Sequence, residues 1–169
     1  PSMLGAAVVT ISDSRSKEPG ADASGPAVTE LVEGLGFKVV ERAVIPDESQ
    51  KITETVRSLI GKVELIVTTG GTGIGRRDVT PEAIAPLFDK MLPGFGEIMR
   101  TGSFSKTPLS IISRGGAGVA GKTLIVMLPG SPKGVRDCLG LVGPAIKHAM
   151  QALEGSEMDC QKNGAPSAS

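Results

Sequence analysis

Residues 116 to 130 read GAGVAGKTLIVMLPG, and the first eight letters fit the G-x-x-x-x-G-K-[ST] pattern of a phosphate-binding loop. Such a loop rings a phosphate with backbone N–H groups between the end of a strand and the start of a helix. The letters that follow decide the matter. Leu124-Ile125-Val126-Met127-Leu128 is a short apolar run, rich in β-branched residues and stopped by Pro129-Gly130, and it reads as a strand. Without a helix after it, the loop lacks the N-terminal N–H groups and the positive dipole end that hold an anion. The octapeptide is therefore read as a connection into a strand, and Lys122 and Thr123 as expendable for nucleotide binding.

Working outward, apolar runs of strand length recur at 6–11, 37–45, 63–68, 109–112 and 124–128. Between most of them apolar residues return at intervals of three and four. Val28, Leu31, Val32 and Leu35 form one helical face, Ile52, Val56, Leu59 and Ile60 a second, and a long third face runs from Val135 to Leu153. Pro144 inside that third pattern removes a backbone donor and crowds Gly140, which predicts a kink. Strands alternating with helices imply βαβ crossovers, hence an α/β fold with a mostly parallel sheet covered on both faces. Too few residues separate 109–112 from 124–128 for a helical crossover, so these two are expected to pair as an antiparallel edge hairpin.

A chain of 169 residues is most simply one domain, here 1–154. The Gly/Ser/Ala/Pro-rich stretch 155–169 carries no periodic pattern and is expected to be disordered. Eighteen basic residues balance eighteen acidic ones, so no basic excess points to nucleic acid or to an anionic membrane. The absence of tryptophan and tyrosine argues against base-stacking platforms. Cys138 and Cys160 form no C-x-x-C pair, which suits a reducing compartment, and Cys138 falls in a helical pattern as a small core residue. No leader and no run of about 18 apolar residues is present, so a soluble, cytoplasmic protein is expected.

In open sheets of this kind ligands bind beyond the carboxyl ends of the strands. The third strand exits into Thr69-Gly70-Gly71-Thr72-Gly73-Ile74-Gly75-Arg76-Arg77-Asp78. Its glycines allow positive φ and close approach to the main chain, and successive N–H groups can form an anion nest. Thr69 and Thr72 add hydroxyls, and Arg76 and Arg77 add forked donors suited to phosphate. The stretch is not a dinucleotide fingerprint, because Arg76 stands where that pattern needs its last glycine. Thr80-Pro81-Glu82 then reads as a helix start with Thr80 as N-cap. Asp13, Asp47 and Asp78 each follow a strand end, which would bring three carboxylates to one rim. A hard cation such as Mg²⁺ is the usual compensation for acids gathered beside phosphates. Pro129-Gly130-Ser131-Pro132-Lys133 opens the last helix, with Ser131 as cap and Lys133 alongside a natural anion site. His148 lies well inside that helix, and no zinc cluster, nucleophilic triad or Cys–His pair can be assembled near the rim.

With these residues in place, the chain resembles the MogA/MoaB family of molybdenum-cofactor biosynthesis proteins, which includes molybdopterin adenylyltransferases and the gephyrin G domain. The matching stretches are TISDS (10–14), IPDE (45–48), TTGGTGIGRRDVTPEA (68–83), PGFGEIMR (93–100) and SRGGAGVAGKTLIVMLPGSPKG (113–134). PGFGEIMR is closest to the MogA-type branch, and no motif is lost. The resemblance implies a three-layer α/β/α domain, usually a homotrimer, that binds molybdopterin and activates it with ATP and Mg²⁺. It implies Asp47 and Asp78 as catalytic and metal-organising residues, with Asp13 and Ser12 nearby. The ligand pocket would be formed by Thr69, Gly70, Gly71, Thr72, Gly73, Ser113, Arg114, Pro129, Gly130 and Ser131. Arg76, Arg77, Arg114 and Lys133 are candidate partners for pterin phosphate or pyrophosphate. Other molybdenum-cofactor biosynthesis proteins are possible partners, and a non-catalytic pterin carrier or a trimeric scaffold stays open as an alternative.

Overall fold

The structure, a computed structural model, describes residues 3–155. In chain order its elements are β1 (Gly5–Ile11), α1 (Asp13–Lys17), α2 (Ser24–Gly34), β2 (Lys38–Ile45), α3 (Ser49–Leu59), β3 (Leu65–Thr69), α4 (Thr80–Ile84), β4 (Lys90–Met91), α5 (Pro93–Ser103), β5 (Gly116–Ala120), β6 (Thr123–Leu128) and α6 (Pro132–Leu153). The strands form one six-stranded sheet in the order β2-β1-β3-β6-β5-β4. β2, β1, β3 and β6 run parallel, whereas β5 and β4 are antiparallel to their neighbours.

Strand periodicity divides the core between the two faces of this sheet. Ala6 and Val8 of β1, Leu65 and Val67 of β3, and Leu124, Val126 and Leu128 of β6 pack with residues of α2, α5 and α6. The alternate residues Ala7, Val9 and Ile11, with Ile66, Ile125 and Met127, pack with α3 and α4. Two cores flanking one sheet make the three-layer α/β/α architecture that the sequence predicted. The central strands β3 and β6 are buried along their whole length because both faces are covered.

An antiparallel hairpin is present, but its first strand lies elsewhere than expected. Residues 109–112 belong to a 3₁₀ segment, Pro108–Ile112, with Leu109 and Ile111 well exposed. The strand that pairs with β6 is β5, built from the glycines and alanines of GAGVA. The octapeptide is thus itself a strand and a turn, and Gly121, at φ +59°, takes the first position of the two-residue turn where left-handed backbone favours glycine. Thr80 is likewise not an N-cap. It is the first residue of α4, and its buried hydroxyl donates back to the Gly70 carbonyl at 2.9 Å. α6 runs as one helix through Pro144. The tail expected to be disordered lies outside the described residues from 156 onward, as does Cys160.

Candidate active site

Four strand exits converge at the carboxyl edge of the parallel strands. At the end of β1, Ser12 caps α1 by accepting from the Arg15 N–H. The Asp13 N–H donates to Asp47 Oδ2 at 2.9 Å, and the Asp47 N–H donates to Asp13 Oδ1 at 3.0 Å. This reciprocal pair ties the exits of β1 and β2 together. Arg77 then donates through Nε and Nη2 to the two Asp13 oxygens, each at 3.0 Å.

The glycine loop after β3 needs its glycines for space as well as conformation. Gly70 has φ +103°, and a Cβ there would stand 2.1 Å from the Ile11 carbonyl oxygen. Gly71 has φ +69°, and its Cβ would meet the Thr80 hydroxyl at 2.2 Å. Further along, a Cβ on Gly73 or on Gly75 would fall 2.8 Å from Asp78 Oδ2, so these two glycines make the room in which the Asp78 carboxylate sits. That oxygen accepts from the Gly75 N–H at 2.9 Å. Arg114 clamps the loop from the other side. Its backbone N–H donates to the Thr72 carbonyl, its Nε to the Gly73 carbonyl at 2.9 Å and its Nη2 to the Asp78 carbonyl at 2.8 Å, while Nη1 pairs with Glu82. At the exit of β6, Thr69 donates to the Pro129 carbonyl at 2.6 Å, Ser24 donates to the Gly130 carbonyl, and Ser131 caps α6 by accepting from the Gly134 N–H at 3.0 Å.

Between these exits lies a cavity of about 590 Å³ bordered by Ser12, Asp47, Thr69, Gly70, Gly71, Asp78, Gly130 and Ser131. A second cavity of about 520 Å³ adjoins it through Ser131 and is bordered by Ser113, Pro129 and Lys133. The predicted residues therefore assemble at one edge of the sheet, although not all of them face a cavity. Thr72 is buried, with its hydroxyl 3.5 Å from that of Ser113. Asp13 and Arg77 engage each other, Arg114 is committed to the loop, and Arg76 is exposed. Residues that the sequence reading missed also border the cavities, among them Arg15, Asp22, Ser24, Arg100 and Asp137. Asp22 carried the one legible signal, an acid just before a helix start, and its oxygens now accept from the Thr10 hydroxyl and from the Ser24 and Gly25 N–H groups.

The electrostatics separate the three aspartates. The Arg77 guanidinium holds the Asp13 carboxyl below the ordinary range. Burial pushes the Asp47 carboxyl up, and the charges of Asp13 and Asp78 add to the rise. The expected three-acid cluster thus resolves into one neutralised residue and two carboxylates on a shared cavity. Among the described residues, no three His, Cys, Asp or Glu side chains form a metal-binding group. On the opposite face of the rim, Arg114 lowers the Glu82 carboxyl by its hydrogen bond.

Together the doubly wound sheet, the glycine-lined crevice and the paired carboxylates define an α/β domain whose ligand site sits at the carboxyl edge of its parallel strands. Residues 7–148 match the family model described as a probable molybdopterin binding domain. A molybdopterin adenylyltransferase of Helicobacter pylori is 40% identical over 155 residues, covering 89% of this chain and 88% of its own length. The crystal structure of the molybdopterin biosynthesis enzyme MoaB from Thermus thermophilus superposes with a TM-score of 0.84 at 40% identity, covering 90% of this chain and 98% of that one. A molybdopterin biosynthesis protein from Mycobacterium abscessus gives 0.85 at 36% identity, with 90% and 97% covered. The chain belongs to the MogA/MoaB family and hence to molybdenum-cofactor biosynthesis.

Proposed function

We propose that this protein adenylylates molybdopterin with Mg-ATP, releasing pyrophosphate. The observation that carries the reading is the pairing of Asp47 and Asp78 on the cavity that the glycine loop also borders. Among the described residues nothing accepts from the Gly71 N–H, which leaves it for a ligand oxygen. A relative bearing the adenylyltransferase name, 40% identical over most of the chain, supports the same activity.

In the reaction, an oxygen of the terminal phosphate of molybdopterin forms a bond to the α-phosphorus of ATP. The bond to the bridging oxygen breaks, and pyrophosphate leaves with the electron pair. A phosphate attacker is already ionised, so the site has no need of a general base. What it must supply is alignment and charge neutralisation. The glycine loop and the capped start of α6 hold phosphate oxygens, and the rigid rim fixes their approach. Asp47 and Asp78 offer the hard oxygen donors that suit Mg²⁺, and the cost of charging the half-buried Asp47 is the kind a cation relieves. Bound there, the ion would neutralise charge on the triphosphate. Arg76 and Lys133, both exposed at the rim, remain candidates for the outer phosphates. Incubation with molybdopterin, ATP and Mg²⁺ tests the reading: an adenylyltransferase releases pyrophosphate, and a carrier binds the pterin without releasing any.

A further inference from the structure

Asp47 and Asp78 reach one cavity from different strand exits. The Asp47 carboxylate accepts from the exit of β1 and the Asp78 carboxylate from its own loop, so their spacing depends on whatever joins those two parts. The loop that carries Asp78 has glycine at 70, 71, 73 and 75, with positive φ at the first two, and such a backbone has wide conformational freedom. Arg114 fixes it on the side that leads into β5, through the Gly73 and Asp78 carbonyls. Towards β1 and β2, the side-chain bridge among the described residues is the pair of bonds from Arg77 to Asp13.

The bridge stands where it can act on both acids. Arg77 is the chain neighbour of Asp78, and Asp13 exchanges two further bonds with Asp47. A fork that grips both carboxylate oxygens fixes direction as well as distance. The guanidinium charge also acts on Asp47, against the repulsion from Asp78. Neither Arg77 nor Asp13 borders the cavity itself. Their side chains are 61% and 39% exposed, where an ion pair adds little to stability. From this arrangement we infer that Arg77 is a positioning residue: braced on Asp13, it sets the spacing of Asp47 and Asp78, and it is not the phosphate partner that the sequence pattern suggested. The inference rests on those two aspartates organising Mg²⁺ at the nucleotide.

Arg77→Ala and Asp13→Asn break the brace from opposite sides; the asparagine keeps an oxygen for the Asp47 N–H but turns a donor towards the guanidinium. Both should melt within about 2–4 °C of wild type. Each should lower kcat for pyrophosphate release about tenfold or more, with KM for molybdopterin within about twofold, and the double variant should lose no more than either single one. Arg77→Lys keeps the charge without the fork and should stay impaired. Calorimetric Kd values for ATP, in Mg²⁺ and in EDTA, read the brace without turnover. Mg²⁺ should tighten ATP binding in the wild type, that gain should shrink about fivefold or more in both variants, and the value in EDTA should not change. Additive losses in the double variant, full activity in Arg77→Lys, or a collapse of the melting temperature overturns the inference. So does a wild type whose ATP affinity is indifferent to Mg²⁺. An unaffected Asp13→Asn beside weaker ATP binding by Arg77→Ala in EDTA overturns it too, because Arg77 would then hold a phosphate. If the wild type releases no pyrophosphate yet both variants lose the Mg²⁺-dependent gain, adenylylation falls and the brace stands. If the wild type releases pyrophosphate and both variants match it, the brace falls and adenylylation stands.

Discussion

Asp13, Asp47 and Asp78 show how far single residues could be read. Their placement after strand ends was legible, because a strand followed by Asx or glycine marks a turn at a known edge of an α/β sheet. Their division of labour was not, since it depends on Arg77 reaching across from a different loop to Asp13. Asp78→Asn should fold normally and lose about tenfold or more of adenylylation, a step that depends on charge organised at the phosphates; turnover close to wild type in a folded variant would remove Asp78 from the mechanism. Asp47 carries a prediction about pH. Its folded-state pKa is raised above the ordinary 3.8, so its ionised form costs stability at neutral pH, and that cost disappears as pH falls through the folded value towards 3.8. Asp47→Asn should therefore melt at least as high as wild type at pH 7, and the difference should shrink as the pH is lowered. Thermal melts across that range check it, and an advantage that grows on acidification contradicts it.

Among the elements, β5 was the hardest to see. Glycine and alanine have low strand propensity, and GAGVA has the composition of a loop. It is a strand because its neighbours demand thin residues: a Cβ on Gly118 would lie 2.4 Å from the Phe88 ring. The apolar letters of 109–112 mimicked a strand but have no sheet edge to join, and the hairpin partner of β6 was already taken. Helices α3 and α6 were legible because each buries one face at regular intervals, Ile52, Val56 and Leu59 in the first. Gly118→Ala should cost about 1–3 kcal/mol through overpacking, read from denaturant unfolding; a neutral result would mean that Phe88 moves freely. The same reading separates the two ends of β6. Thr123 starts the strand far from the rim, where its buried hydroxyl donates to the Val63 carbonyl at 2.8 Å and accepts from the Gly61 N–H at 3.0 Å. Thr123→Val should destabilise by about 1–3 kcal/mol, because both partners are left unsatisfied. Lys122→Ala should leave the affinity for ATP as it is, and a large loss in the folded variant would restore a phosphate role for GAGVAGKT.

At the scale of the whole molecule, the sheet order places every crevice-forming loop on one edge, and that follows from right-handed βαβ connections that the alternating pattern already implied. The edge strand β4, two residues long, and the second cavity's contribution from α5 were beyond the pattern, since both depend on how distant segments pack. The family resemblance implies a homotrimer, and exposed apolar side chains such as Met91, Leu109 and Ile111 suit a surface that associates. Sedimentation equilibrium at micromolar concentration should give a trimer mass, and a monomer there contradicts it. In the proposed function one rim joins pterin and nucleotide chemically instead of only holding the pterin. Pyrophosphate release from molybdopterin, ATP and Mg²⁺ measures that most directly. Release that requires all three components, and that collapses in Asp78→Asn, is the expected result; a folded protein that binds molybdopterin and yields no pyrophosphate contradicts it.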